Sequence, residues 1–144
     1  EISGLGFLGV DIAIDNSGSI SAEMLRDFLS EVKGIMEQFA QFKLRLWCFD
    51  TAVYNMQEYS SDGEGIDALM DYEIKGGGGT DFEANWTFME EEGITPHKFV
   101  MFTDGYPCGS WGDENYCDTI FLIHGNKSIE APFGTTCYYE EPSK

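Results

Sequence analysis

Five oxygen-bearing side chains in three short polar segments could do chemistry together. Asp15, Ser17 and Ser19 lie in the run Asp15-Asn16-Ser17-Gly18-Ser19, Thr80 follows four consecutive glycines at 76–79, and Asp104 stands in Thr103-Asp104-Gly105. Carboxylates and hydroxyls form an all-oxygen donor set, which suits a hard divalent cation such as Mg2+, Mn2+ or Ca2+, whereas zinc would draw on nitrogen or sulfur. Each segment alone has a plainer reading. Asp15 and the serines could cap a helix, the glycines could be a linker with Thr80 and Asp81 as a cap, and Asp104-Gly105 could be an ordinary turn. The metal reading rests on finding all three in one chain, each at the end of a structured element.

The elements that must position them follow from the apolar pattern. Residues 5–14 (LGFLGVDIAI) form a strand-like run that stops at the first polar segment. Met24, Leu25, Phe28, Leu29, Val32, Ile35, Met36 and Phe39 then recur at three- and four-residue steps, which predicts a helix starting near Ser21, its N-cap. Residues 44–49 and 53–59 read as two strands with Asp50-Thr51 between them, a connection short enough for an antiparallel hairpin. Residues 62–72 have weaker helical spacing, the glycines cannot be regular structure, and Asp81 opens a helix with Phe82, Trp86 and Met89 inward, ending near Gly93. Residues 98–103 and 119–124 are continuous apolar runs, as expected of strands covered on both faces, and 135–139 is the last strand. The stretch 106–118 has no helical period.

This alternation predicts an α/β fold: a Rossmann-like open, mostly parallel twisted sheet with one antiparallel edge strand and flanking helices. In such sheets the ligand crevice lies outside the carboxyl ends of the strands, where all three polar segments fall. A length of 144 residues fits one domain spanning 1–144, and a start at Glu1 directly before a strand suggests a piece of a longer protein.

Composition narrows the partners. With 26 acidic against 8 basic residues and a net charge of −18, the chain would repel a phosphate backbone, so nucleic acid is not expected. No apolar run approaches the roughly 18 residues that cross a bilayer, and the start lacks a signal-peptide pattern, so no membrane contact and a cytoplasmic location are expected. The cysteines Cys48, Cys108, Cys117 and Cys137 form no CxxC pair and are accompanied only by His97 and His124, which argues against structural zinc. Cys48 and Cys137 read as reduced core residues, while Cys108 and Cys117 flank one loop and could bridge. Asp50 reads as a hairpin residue rather than a ligand, Asp81 as a cap or an outer group of the site, and Asp11 as a strand carboxylate that pairs with a base or reaches solvent. His97 reads as a surface residue and His124 as a strand end. Trp111 and Tyr116 could form a partner surface or fold back as a local cover.

The segments together resemble the metal-ion-dependent adhesion site (MIDAS) of von Willebrand factor A (VWA) domains. Asp15-Asn16-Ser17-Gly18-Ser19 matches the DxSxS element, Thr80 the lone threonine and Asp104 the second aspartate. A narrower resemblance spans nearly the whole chain, to the VWA-like C-terminal domain of bacterial and phage proteins described as metallopeptidases. It is carried by Cys48-Phe49-Asp50, the glycine run with Thr80-Asp81-Phe82, Phe102-Thr103-Asp104-Gly105-Tyr106 and Ala131-Pro132-Phe133-Gly134. The resemblance implies direct metal binding by Ser17, Ser19 and Thr80, with Asp15 and Asp104 acting mainly through water. It also implies a coordination position filled by an acidic residue of a protein partner, with an AAA-type ATPase as one partner class.

The expected function is therefore a non-catalytic, metal-dependent protein-interaction module. The alternatives are a metal-assisted hydrolase or an accessory domain of a metallopeptidase. Hydrolysis would need a general base and cationic groups beside the metal, and the three loops carry no histidine and few basic residues; no HExxH helix or GxSxG turn is present.

Overall fold

The computed structural model describes residues 5–16, 20–62 and 65–140. Six strands form one sheet in the order β3-β2-β1-β4-β5-β6. The strands are β1 (Leu5–Asp15), β2 (Phe39–Phe49), β3 (Val53–Ser60), β4 (Phe99–Thr103), β5 (Thr119–His124) and β6 (Thr135–Tyr139). All neighbours pair in parallel except β2 and β3, the antiparallel hairpin at one edge.

Helix α1 (Ala22–Met36) connects β1 to β2, and its N-cap is Ser21, whose side chain accepts a hydrogen bond from Met24 N at 3.0 Å. It buries Phe28, Leu29, Val32 and Met36 against Ile12, Ile14, Leu44 and Leu46 on one face of the sheet. Ile35 is left exposed. Helix α2 (Glu83–Glu92) ends at Gly93 in the left-handed conformation and lies on the other face. There Phe82, Trp86 and Met89 pack with Ala13, Trp47, Phe99, Met101 and Phe121. A buried polar pair fixes this helix: Trp47 Nε1 donates to Asn85 Oδ1 at 2.8 Å, and Asn85 Nδ2 donates to Phe82 O at 3.1 Å.

Several boundaries differ from the sequence-based expectation. Phe39 belongs to β2, not to the helix: α1 stops at Met36, and residues 39–43 extend β2 because β1 offers partners from Leu5 onward, with Leu5 opposite Phe39. The weak helical segment is a 3-10 helix (Ile66–Asp71). Cys137 is exposed rather than in the core, because β6 is an edge strand. All four cysteines are free, Cys108 and Cys117 included.

Asp11 lies directly opposite Arg45 and is only 2% exposed. Arg45 Nε donates to its Oδ1 at 2.5 Å and a second guanidinium nitrogen to Oδ2 at 3.2 Å. This hydrogen bond raises the Arg45 pKa further, against the opposing effect of burial. Residues 106–118 cover the second face without a helix. Trp111 packs edge-on against Phe82 and Phe121, and Tyr116 donates its hydroxyl to Ile94 O at 2.6 Å, so both serve as a local cover. No helix among the described residues is long and apolar enough to cross a membrane.

Candidate metal centre

The strand order reverses direction between β1 and β4, so the crevice of the sheet opens at the carboxyl ends of these two strands. The register brings polar residues into a row at that edge. Ile14 faces Phe102, and Asp15 faces Phe49, so the next residues in line are Asp15 and Asn16 at the end of β1, Asp50 just after β2, and Thr103 and Asp104 at the end of β4.

Asp15 is fully buried. Its Oδ2 accepts the Thr103 hydroxyl at 2.6 Å, and Thr103 Oγ1 in turn accepts from Gly105 N at 3.1 Å. The threonine thus ties the two aspartate-bearing strand ends together and orients the Asp15 carboxylate. Asp104 Oδ1 is buried with no hydrogen-bond partner among the described residues. An acceptor of this kind is costly to bury unless something electropositive meets it. The ion pairs among the described residues leave Asp104 out.

Thr80 is buried at the end of the glycine loop, and the loop is fastened at three places. At its start, Asn16 Nδ2 donates to Lys75 O at 2.9 Å and Lys75 N donates to the Cys48 thiol sulfur at 3.2 Å. In its middle, Gly77 N and Gly78 N donate to Asp50 Oδ2 at 3.0 and 2.9 Å. At its end, Asp81 N donates to Asp50 O at 2.9 Å. The other carboxylate oxygen of Asp50 accepts from Thr51 N and from Ala52 N, the latter at 3.1 Å. Burial alone would push the Asp50 carboxyl up, but the four backbone donors outweigh it and hold the pKa at about 2. Gly76 must be glycine here: its φ is +91°, and a Cβ would stand 2.9 Å from the Tyr54 ring and 3.0 Å from Asp50 Oδ2. Asp81 accepts from Glu83 N at 3.0 Å and acts as a cap of α2.

The structure therefore carries Asp15, Thr80 and Asp104 on neighbouring segments of one sheet edge. Ser17 and Ser19 lie outside the described residues. No group of three or more His, Cys, Asp or Glu side chains gathers as a cage among the described residues, and the candidate set contains two residues of those types, Asp15 and Asp104. Sequence reasoning missed three supporting groups. Asp50 organises the glycine loop, and the hint was an aspartate directly before a hairpin turn with a glycine run still to be held. Thr103 orients Asp15, hinted at by a hydroxyl ending a wholly apolar strand. His124, 2% exposed and tilted against the Phe102 ring with centroids 4.6 Å apart, ends β5 on the strand next to Asp104. Burial pushes its pKa below the ordinary value, with the Asp104 carboxylate opposing.

The sheet order, the opposed helices and the polar edge at the β1/β4 switch define a VWA-like domain. The chain belongs to the family described as VWA-like domain (DUF2201), whose model matches residues 10–139. Solved structures of similar fold include the conserved hypothetical protein BatB from Bacteroides thetaiotaomicron, at TM-score 0.61 and 17% identity over 82% of this chain and 67% of that one. Another is an aerotolerance-related membrane protein from Bacteroides fragilis, at TM-score 0.58 and 19% identity over 81% and 67%. The ArnB paralog VWA2 from Sulfolobus acidocaldarius aligns at TM-score 0.56 and 18% identity, over 86% of this chain but 36% of its own length. At these identities the likeness is one of fold. No curated protein gives a significant sequence match.

Proposed function

We propose that this chain is a non-catalytic protein-interaction domain that engages its partner through a divalent cation held by Asp15, Ser17, Ser19, Thr80 and Asp104. The VWA-like fold supports an interaction role in general. The observation that carries the metal is the buried Asp104 Oδ1, without a hydrogen-bond partner among the described residues, at the β1/β4 switch point where Thr103 already orients the Asp15 carboxylate. The donor set fits a hard cation: two carboxylates and hydroxyl oxygens, with no thiolate or imidazole on the three loops. Mg2+ is the expected ion, with Mn2+ or Ca2+ as substitutes.

Bound there, the cation supplies an electrophilic centre for an acidic side chain of a protein partner, which an AAA-type ATPase could provide. The residues of this chain hold the ion and keep it facing the crevice; Asp50 fixes the loop of Thr80, and Thr103 fixes Asp15. On the same reading the domain works in the cytoplasm, where the free thiols of Cys48, Cys108, Cys117 and Cys137 are stable.

Thermal unfolding of chelator-treated protein tests the reading. Mn2+ at about 100 times its dissociation constant adds about 2.7 kcal/mol, which for a domain of this size raises Tm by roughly 5–10 °C. Asp104→Ala should show no such rise. An unchanged Tm in the unaltered protein would count against a metal site.

A further inference from the structure

We infer that the bare half of the sheet on the α1 side is a docking groove for a helix of a partner protein, apolar along one stripe and flanked by Lys or Arg. The inference does not rest on the metal centre, which occupies the carboxyl edge of the sheet.

The first observation is a mismatch between sequence and cover. Strands β4 and β5 are parallel and nearly all apolar, Phe99-Val-Met-Phe-Thr and Thr119-Ile-Phe-Leu-Ile-His, a pattern that belongs to strands buried on both faces. Only one face is closed along its whole length; on the α1 side Phe102 and His124 are buried, but the residues before them are not. Phe99, Met101, Phe121 and Ile123 are buried under α2 and the 106–118 cover, whereas Val100, Ile120 and Leu122 on the opposite face remain partly open. Helix α1 closes the carboxyl end of this face, where Phe28 stacks on Phe102 and meets Tyr139 of β6 edge-on, and leaves the amino-terminal parts of β1, β4 and β5 open beside it. What remains is a groove of about 320 Å³ with Val100, Ile120, Leu122 and Cys137 on its floor and Phe28 and Ile35 on its α1 wall.

The second observation selects the occupant. Along α1, Glu31 stands three residues after Phe28 and four before Ile35, and Asp27 lies one turn before Glu31, so the two acids form a row beside the apolar wall, outside the groove lining itself. Neither makes an ion pair or a side-chain hydrogen bond among the described residues, while the one base lining the groove, Lys98, pairs with Asp118. An apolar floor with an unneutralised acidic rim is complementary to a basic amphipathic helix. A second copy of the chain is disfavoured because it would bring another −18 charge against the same rim. The floor spans Leu8 to Ile12 along β1, roughly 13 Å of strand, which matches roughly two and a half helical turns.

Cys137 is exposed on the floor and serves as a reporter. In a Cys108→Ser, Cys117→Ser background it is the remaining accessible thiol of the described residues, Cys48 being buried. The probe is a synthetic amphipathic peptide with a leucine stripe flanked by lysines, compared with its glutamate-flanked counterpart, in metal-free buffer. The lysine peptide is expected to bind one to one and to slow maleimide labelling of Cys137 at least tenfold; the glutamate peptide should do neither. Leu122→Glu should abolish protection, and the surface variant Asp27→Lys with Glu31→Lys, which leaves the core untouched, should weaken binding at least tenfold.

Equal binding of the lysine peptide to both variants would reveal attraction to the acidic surface at large and overturn the proposal. So would an absence of protection, dimerisation of the unmodified chain that shields Cys137, or groove-dependent partition onto phosphatidylcholine vesicles instead of peptide binding.

Discussion

Asp50 offers the sharpest test of how the site is built, because one side chain fastens the loop that carries Thr80 while standing outside the proposed ligand set. A carboxyl group whose pKa drops from 3.8 to about 2 on folding favours the folded state by about 2 kcal/mol when ionised. Screening at a loop surface reduces that to about 1–2 kcal/mol. Because the folded pKa lies below the unfolded one, this stability is fully present above pH about 4 and is lost as pH falls through about 2. Asp50→Asn removes the charge and turns an amide NH2 toward backbone donors that need an acceptor, so the total cost at pH 7 should be about 2–3 kcal/mol. Urea unfolding of both proteins at pH 7, 5, 4, 3 and 2 measures it. The gap between them should be widest at pH 7 and narrow by about 1–2 kcal/mol toward pH 2. Loosening of the Thr80 loop should also weaken Mn2+ binding by about tenfold. Equal stability at pH 7, or a gap that stays constant from pH 5 to pH 2, would refute the assignment of Asp50 as an ionised clasp.

Two further substitutions probe the frame around the site. Arg45→Met strands the Asp11 charge in a nearly closed setting and should cost about 3–5 kcal/mol in urea unfolding, with most of that recovered when Asp11→Leu is added. Gly112→Ala places a Cβ 2.3 Å from the Trp86 ring at a φ of +120°; it should cost about 2–4 kcal/mol and alter the near-ultraviolet circular dichroism of the tryptophans.

The frame was legible in the sequence because its elements are marked by strong local patterns. The 3–4 spacing from Met24 to Met36, with Ser21 in front, predicts α1 and its cap. The apolar runs of β4 and β5 predict parallel strands at their observed places to within one residue. Where the pattern is weaker, tertiary pairing decides. Residues 39–43 alternate only loosely and become strand because β1 presents a long edge for them to join. Cys137 reads as core from its apolar neighbours, yet position in the sheet, which no local pattern encodes, leaves it on an edge.

The candidate site divides in the same way. Asp15, Thr80 and Asp104 stand out by residue type at the ends of apolar elements. Asp50 does not, since its function depends on a glycine loop 27 residues further on folding back to meet it. His124 is likewise hidden, because its closeness to Asp104 follows from β5 lying beside β4.

Calorimetric titration of Mn2+ and Mg2+ into chelator-treated protein, with Asp15→Ala and Asp104→Ala alongside, tests the central claim most directly. One ion should bind per chain, and each variant should bind at least 100-fold more weakly while remaining folded. Absence of binding by the unaltered chain, or equal binding by folded variants, would contradict a cation held by Asp15, Ser17, Ser19, Thr80 and Asp104.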